Sequence, residues 1–283
     1  MILVKTANDL TQFLANKSYG DRSTGFVPTL GALHEGHLGL LEHSKQHTDI
    51  TVCSIFVNPT QFNDPQDFAR YPVTLEKDLL LLEKAGCDIV FLPSVKEIYP
   101  NGTALDKHFD LGYLETILEG KYRPGHFQGV CQVVNRLLEI VRPTTLFLGQ
   151  KDYQQCMVIK RLIALTGFNT RLIIVPTIRE ASGLALSSRN LRLLAKDREA
   201  APAIYHSLQY LKQNIQPGSL DNYIMKAGMM IKEAGFEKTD YVAIADADTL
   251  QPITEWDGRS SLVGLIAAFL DGVRLIDNMP LTK

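Results

Sequence analysis

Hydrophobic residues recur with two alternating spacings over the first 175 residues of the chain. Residues 50–57 are almost all apolar and rich in β-branched side chains, as in a strand buried on both faces. Residues 73–85 carry leucines at helical spacing, and Gly86 follows as a stop signal. The same patterns predict strands at 25–29, 88–92, 144–148 and 171–175, and helices at 38–46, 130–141 and 153–165. Strands that alternate with helices predict a parallel sheet covered by helices, a Rossmann-like α/β domain.

The order of elements changes after Pro176. Residues 196–214 and 220–234 have amphipathic helical patterns, and residues 240–245 and 261–270 read as strands. Helices followed by strands are typical of an α+β domain. We therefore predict two domains: a Rossmann-like domain over 1–178 and a smaller C-terminal α+β lid domain over 179–283.

The composition is that of an ordinary globular protein and excludes several classes. Of 283 residues, 45% are hydrophobic and 21% charged, which excludes a chain that is disordered throughout. The formal charge of -2 provides no strong field for coating nucleic acid. No apolar run approaches the roughly 20 residues of a membrane helix, and no secretory signal is visible. The four cysteines form no C-x-x-C pair and lie in or beside apolar segments, which favours buried, reduced thiols in a cytoplasmic protein.

The segment with the most distinctive chemistry is residues 28–37, which follows a predicted strand and opens a predicted helix. Gly31 and Gly36 allow a ligand to approach the backbone closely. A helix N-terminus offers unpaired N–H groups that suit phosphate, and His34 and His37 add further donors on one helix face. A zinc protease motif is disfavoured because its H-E-x-x-H histidines are four residues apart, whereas these are three apart.

Two further strand ends carry polar residues. Asn58 and Gln61 suit hydroxyl or carboxylate groups without adding charge, although Asn-Pro is also a common turn start. Lys151 provides a compact cation for phosphate oxygens. Asp152 fits a helix-capping role at least as well as a ligand-binding role. At the predicted domain junction, residues 187–189 place two hydroxyls beside an arginine, which suits either a phosphate clamp or a solvated linker.

Eight segments together resemble a known family. They read P-T-L-G-A-L-H-E-G-H, S-I-F-V-N-P-T-Q-F, R-Y-P-V-T-L, I-Y-P-N-G, R-P-G-H-F-Q-G-V, G-Q-K-D-Y-Q-Q, L-A-L-S-S-R-N and R-L-I-D-N, and they span about residues 24–278. Their order and spacing resemble the pantoate–β-alanine ligase family of the nucleotidylyltransferase superfamily, in which H-x-G-H is a shared motif and L-S-S-R-N is similar to a mobile K-M-S-K-S-type loop. The resemblance implies that (R)-pantoate reacts with ATP to give pantoyl adenylate and pyrophosphate, and that β-alanine then displaces AMP to give pantothenate.

The resemblance also implies that the Rossmann-like domain over 1–178 binds ATP and pantoate, and it implies roles for individual residues. His37 is the expected proton donor, His34 its companion on the phosphates, and Lys151 completes the catalytic set. Gln61 and Gln155 are expected to hold pantoate, Gln61 also β-alanine, and Asn58 is added to the substrate set. The residues assigned to ATP are Leu30, Gly31, Ala32, Leu33, His34, Glu35, Gly36, His37, Gly149, Gln150, Lys151, Asp152, Ile178, Leu186, Ser187, Ser188 and Arg189. Mg²⁺ is expected to bridge the departing phosphates, and a homodimer is implied.

The chain departs from the family pattern in three segments. Leu30 stands where methionine is usual, a change that conserves volume. Gln150 stands where glutamate is usual, which removes one negative charge near the expected nucleotide and keeps a hydrogen-bonding group. Lys77-Asp78 stands where some relatives carry paired metal-binding aspartates, so the metal ligands are left unassigned.

Two other functions remain open from the residues. A related nucleotidylyltransferase would transfer a nucleotidyl group to another small acceptor, and a phosphorylated acceptor would call for additional Arg or Lys side chains. A non-catalytic nucleotide-sensing protein on the same fold would bind ATP without turnover. A ligase should show pyrophosphate exchange that depends on pantoate, whereas the related nucleotidylyltransferase should not. A ligase should also require His37, whereas the nucleotide-sensing protein should not.

Overall fold

The computed structural model describes residues 1–16, 22–105 and 107–282. The chain divides into two compact units. The first comprises Met1–Gly149 and Val158–Pro176, and the second comprises Gln150–Met157 and Thr177–Lys283. The domain boundary expected between residues 178 and 179 stays a prediction.

The first unit is built on a six-stranded sheet in which every pairing is parallel. Its strands are β1 (Ile2–Val4), β2 (Thr24–Thr29), β3 (Ile50–Ile55), β4 (Ile89–Phe91), β5 (Thr145–Gly149) and β6 (Arg171–Val175), in the order β1-β4-β3-β2-β5-β6. β3 is buried at every position, as its apolar run predicts. The Rossmann-like α/β fold predicted from the alternating periods is confirmed.

Helices connect these strands and cover the sheet. They are α1 (Ala7–Ala15), α2 (Glu35–His47), α3 (Pro65–Ala69), α4 (Leu75–Lys84), α5 (Val95–Ile98), α6 (Leu118–Tyr122), α7 (His126–Val141) and α8 (Tyr153–Thr166), with 3-10 turns at Pro59–Gln61 and Gly112–Glu115. α8 begins in the second unit and ends in the first. Apolar side chains of α2, α4 and the central strands form one continuous core.

The strand order has a reversal beside β2. From β2 the chain adds β3 and β4 on one side, whereas β5 and β6 lie on the other. In open parallel sheets, ligands bind at such a reversal, beyond the carboxyl ends of the strands. The turn that follows β2 therefore occupies the position where this fold favours a ligand.

The second unit contains an antiparallel sheet of β8 (Lys238–Asp246), β10 (Leu262–Leu270) and β11 (Val273–Pro280), in the order β11-β10-β8, and a short pair of β7 (Gly218–Ser219) and β9 (Glu255–Trp256). Its helices are α9 (Ala195–Ala200), α10 (Ala203–Asn214) and α11 (Asp221–Glu233), and its 3-10 turns are Gln150–Asp152 and Ser188–Arg192. A separate apolar core unites these helices with the sheet. The α+β prediction for this region is thus confirmed, since these strands lie in sheets of their own.

One predicted helix of the second unit is two helices. Residues 196–214 are divided at Ala201 and Pro202, where α9 ends and α10 begins. Proline has no N–H to donate and its ring clashes with the preceding turn, so it starts a new helix here. No helix among the described residues is long and apolar enough to span a membrane.

Candidate active site

The turn between β2 and α2 has an unusual backbone. Gly31 and the next residue, Ala32, both have positive φ angles, 84° and 49°. The left-handed region suits glycine but costs a residue with a Cβ roughly 1 kcal/mol. A Cβ added at Gly31 would in addition lie 3.1 Å from Oδ2 of Asp78. This turn therefore needs contacts from outside itself to hold its shape.

Asp78 on α4 provides those contacts. Its Oδ2 accepts the backbone N–H of Ala32 at 2.8 Å, and its Oδ1 accepts the N–H of Leu33 at 2.8 Å and the hydroxyl of Thr74 at 2.9 Å. The side chain is 1% exposed. Consecutive N–H groups of this kind form a concavity that attracts anions, and here a carboxylate of the chain itself fills it. Sequence reasoning considered Asp78 only as a metal-ligand position and did not predict this role.

His34 and His37 cap the N-terminus of α2 and each other. Nδ1 of His34 accepts the N–H of Gly36 at 3.1 Å, and Nδ1 of His37 accepts the N–H of His34 at 3.3 Å. The two ring centroids are 4.1 Å apart. Because each Nδ1 is an acceptor, the proton of each neutral ring is on Nε2. The two histidines thus carry N–H donors on Nε2.

The turn after β3 starts at the same edge of the sheet, since the N–H of Phe56 donates to the carbonyl of Thr29 at 3.0 Å. Asn58 in this turn is 0% exposed and caps the 3-10 turn Pro59–Gln61. The side chain of Gln61 is half-buried. In the first unit, the structure thus brings the predicted residues after β2 and β3 to one edge of the parallel sheet.

In the second unit, the turn Gln150–Asp152 is held by Asn278 of β11. Nδ2 of Asn278 donates to the carbonyl oxygens of Gln150 and Lys151, both at 2.8 Å, and its Oδ1 accepts Nε2 of Gln150 at 3.2 Å. A glutamate at position 150 would place a carboxylate oxygen against this Oδ1. The amide of Gln150, a departure from the family pattern, therefore fits its partner in this chain.

Arg179 and Asp277 form a bidentate ion pair beside that contact. The two guanidinium nitrogens donate to the carboxylate at 2.5 and 2.9 Å, and Arg179 also lies 4.7 Å over the ring of Tyr205. Burial raises the pKa of Asp277 above its usual value, and the hydrogen bonds and charge of Arg179 oppose that rise. The pair fixes the backbone of β11 next to Asn278, whose carbonyl also accepts from Arg179 at 3.3 Å.

The remaining predicted ATP residues of the second unit lie on a short hairpin and the turn that follows. Ile178 and Leu186 face each other across the hairpin, the N–H of Leu186 donating to the carbonyl of Ile178 at 3.1 Å. Ser187 caps the 3-10 turn Ser188–Arg192 by accepting the N–H of Arg189 at 3.3 Å. Ser188 is buried, whereas Ser187 and Arg189 are half-exposed.

The predicted site residues fall into two sets, one in each unit. Those in the first are the run Leu30–His37 with Asn58, Gln61 and Gly149, and those in the second are Gln150, Lys151, Asp152, Gln155, Ile178, Leu186, Ser187, Ser188 and Arg189. Lys151 Nζ lies 3.7 Å from Oδ1 of Asp152. Gln155 is half-buried near the start of α8. The contributions of these residues to catalysis and binding stay predictions.

The described residues do not by themselves form a metal centre. Within this part of the chain, no group of three or more His, Cys, Asp and Glu side chains is arranged to hold an ion. Asp78 uses both of its oxygens on the Ala32–Leu33 turn and on Thr74.

Comparisons with known proteins identify the family. The family model described as pantoate-beta-alanine ligase matches residues 2–280. A pantothenate synthetase of Cytophaga hutchinsonii is 42% identical over 288 residues, which cover 99% of each chain. A pantothenate synthetase structure from Thermus thermophilus is 39% identical, covers 100% of both chains and has a TM-score of 0.91. A pantoate-beta-alanine ligase from Francisella tularensis, described as complexed with beta-gamma ATP and beta-alanine, is 39% identical over 99% of this chain and 98% of that one, with a TM-score of 0.83. The chain belongs to the pantoate–β-alanine ligase family.

Proposed function

We propose that this chain is an ATP-dependent ligase that condenses (R)-pantoate with β-alanine to give pantothenate, AMP and pyrophosphate. Family membership over nearly the whole chain supports the overall reaction. The observation that carries the chemistry is the turn after β2, where two histidines on a helix N-terminus carry N–H donors on Nε2 beside the reversal in strand order. Such a turn suits a phosphate group on which charge develops.

In the proposed first step, a carboxylate oxygen of pantoate attacks the α-phosphorus of ATP. A new P–O bond forms, the bond to the β-phosphate oxygen breaks, and pyrophosphate leaves with its electron pair. We assign His37 and His34 as Nε2–H donors to phosphate oxygens, which stabilises negative charge as it develops. Lys151, Arg189 and the other residues predicted to bind ATP position the triphosphate, and positioning supplies much of the rate in phosphoryl chemistry.

In the proposed second step, the amine of β-alanine attacks the acyl carbon of pantoyl adenylate. The C–N bond forms, the bond to the phosphate oxygen breaks, and AMP leaves while the amine loses a proton. Gln61 and Gln155 hold pantoate by hydrogen bonds, and Gln61 also contacts β-alanine. Because Asn58 is completely buried, we assign it to this set through its contact with Gln61.

Mg²⁺ belongs to this proposal as an ion carried by the nucleotide. Mg²⁺ in nucleotide enzymes takes most of its ligands from phosphate oxygens and water, which agrees with the lack of a carboxylate cluster among the described residues. When bound, it neutralises charge on the departing pyrophosphate.

Three further parts of the proposal have separate grounds: the family resemblance for the homodimer, the cysteines for the cytoplasm, and the place of residues 187–189 at the predicted domain junction for the lid. We propose a cytoplasmic homodimer, and we propose that residues 179–283 act as a lid that protects the adenylate from water. Hydrogen exchange in residues 181–190 should slow when ATP and pantoate are added together. Exchange that is unchanged by both substrates would contradict the lid.

Isotope transfer tests the proposed reaction against the alternative nucleotidyl transfer. Pantoate labelled with ¹⁸O in its carboxylate should deliver one labelled oxygen to AMP for each pantothenate formed, because the adenylate is cleaved at the acyl carbon. A nucleotidylyltransferase that leaves its nucleotidyl group on the acceptor releases no AMP. Formation of ADP, or of unlabelled AMP alongside pantothenate, would contradict the proposed route.

A further inference from the structure

The side-chain amide of Asn58 has only one orientation that satisfies its neighbours. Its Nδ2 lies 3.3 Å from the carbonyl oxygen of Gly129, which only accepts hydrogen bonds. Its Oδ1 lies 2.7 Å from the hydroxyl of Tyr99 and 3.4 Å from the backbone N–H of Thr60, which only donates. Turning the amide over would set oxygen against oxygen and N–H against N–H.

This orientation determines how Gln61 is presented. The second hydrogen of Asn58 Nδ2 points to Oε1 of Gln61, 3.2 Å away. Oε1 therefore faces the protein, and Nε2 is the outward group of the amide. Nε2 makes no hydrogen bond to the described part of the chain. Gln61 accordingly offers N–H donors, which select an oxygen acceptor such as a carboxylate or a hydroxyl oxygen.

The backbone of the same turn is fixed by α7 and the residues before it. Nδ1 of His126 donates to the carbonyl of Gln61 at 2.6 Å, and Nε2 of His126 accepts from Arg123 at 3.0 Å. A Cβ added at Gly129 would lie 2.1 Å from the carbonyl oxygen of Thr60, so only glycine permits this approach. With the main chain held in this way, the orientation of the side-chain amide decides which of its two groups Gln61 presents.

We propose that Tyr99 is a positioning residue for substrate recognition, which acts through Asn58 to turn the NH₂ group of Gln61 toward an oxygen of pantoate. The inference rests on the proposed function. Tyr99 is 7% exposed and holds the shortest hydrogen bond of Asn58. Burial raises the pKa of its hydroxyl to about 12, so the O–H donor persists over the whole working range of pH.

A double-mutant cycle tests the proposal. Tyr99→Phe removes one neutral hydrogen bond, so kcat/KM for pantoate should fall about three- to tenfold while KM for ATP stays within about twofold. In a Gln61→Ala background, the same Tyr99→Phe change should have less than about a twofold effect, because the group it orients is gone. Tyr210→Phe, on α10 of the second unit, is the matched control and should be neutral.

Several outcomes would overturn the inference. The first is a Tyr99→Phe enzyme with unchanged kcat/KM for pantoate. The second is a fall in kcat/KM for pantoate that is equally large with Gln61 and with Gln61→Ala. The third is an equal fall in kcat/KM for ATP, which would indicate general structural damage. If turnover by the Gln61→Ala variant is too slow to measure, pantoate dissociation constants from calorimetry complete the same cycle. If the unsubstituted chain shows no pantoate-dependent turnover, the proposed function itself is wrong. If the unsubstituted chain is active but the double-mutant cycle shows no coupling between Tyr99 and Gln61, only the inference about Tyr99 is wrong.

Asn58→Asp gives an independent test. The carboxylate keeps an acceptor for Tyr99 but replaces the donor to Gln61 with an oxygen, so the amide of Gln61 should turn over and present Oε1. We expect kcat/KM for pantoate to fall at least as far as in Gln61→Ala. Retention of pantoate recognition by a folded Asn58→Asp enzyme would contradict the proposed orientation.

Discussion

Replacement of Asp78 by asparagine tests how the turn after β2 is held. The substitution keeps the shape of the side chain, but it removes the charge and turns one acceptor oxygen into an NH₂ group. In the better of the two amide orientations, the oxygen keeps Leu33 and Thr74, and the NH₂ group faces the N–H of Ala32 across a 2.8 Å contact. At least one buried N–H then has no acceptor.

The expected loss of stability follows from the one buried N–H that is left without an acceptor. A hydrogen bond to a charged group contributes ~1.5–3 kcal/mol, and leaving a buried donor unsatisfied costs ~1–3 kcal/mol. We therefore expect Asp78→Asn to lower the free energy of unfolding by about 2–4 kcal/mol. Relaxation of Ala32 from its left-handed conformation would also move the N-terminus of α2, and a displacement of ~1 Å can reduce a rate by ~100-fold. We expect kcat/KM for ATP to fall by roughly ten- to a hundredfold.

Denaturant unfolding and steady-state kinetics with varied ATP measure the two effects. Glu76→Gln is the matched control, since it makes the same carboxylate-to-amide change on an exposed position of α4. The control should change neither quantity beyond ~0.5 kcal/mol. An Asp78→Asn protein with the stability and the ATP kinetics of the unsubstituted chain would refute the anchoring role.

Three further predictions concern other parts of the chain. Burial raises the pKa of the thiols of Cys87 and Cys131 to about 12, so a disulfide reagent at neutral pH should modify the native protein far more slowly than the unfolded protein. Rapid modification of the native protein would contradict the burial of these thiols. Asn278→Ala removes the donor to two carbonyls of the Gln150–Asp152 turn, so KM for ATP should rise roughly tenfold in a steady-state assay; an unchanged KM would show that this contact is dispensable. Hydrogen bonds from Thr249 lower the pKa of Asp246, so this carboxylate stabilises the fold above its unfolded pKa, and the effect is lost as pH falls through its folded pKa. The unfolding midpoint of Asp246→Asn should therefore lie below that of the unsubstituted chain at pH 7, and the difference should vanish in acid; a difference that is constant with pH would contradict the assignment.

Much of the first unit was predictable because its signals are local. The buried run of β3 and the leucine spacing of α4 each arise from neighbouring residues, and the periods of strand and helix are visible in short windows. The turns that carry the predicted site follow those strands directly. Their place at a sheet edge follows from parallel topology without any knowledge of side-chain contacts.

The supporting residues were not predictable because their partners are distant in sequence. Asp78 contacts a turn 45 and 46 residues away, and Asn278 contacts carbonyls 127 and 128 residues away. The spacing of hydrophobic residues along the sequence contains no information about such contacts. The inward amide of Asn58 is a similar case, since sequence placed it at a strand end but only its buried partners show which way it faces. Pro202, by contrast, was a readable stop signal that the longer helical pattern obscured.

The measurement that bears most directly on the central claim is exchange of labelled pyrophosphate into ATP without β-alanine. If the chain activates pantoate as an adenylate, exchange should require pantoate and should be almost abolished in His37→Ala, since phosphorus charge develops in this step. Exchange that proceeds without pantoate, or pantothenate formation with no pantoate-dependent exchange, would contradict the adenylate route.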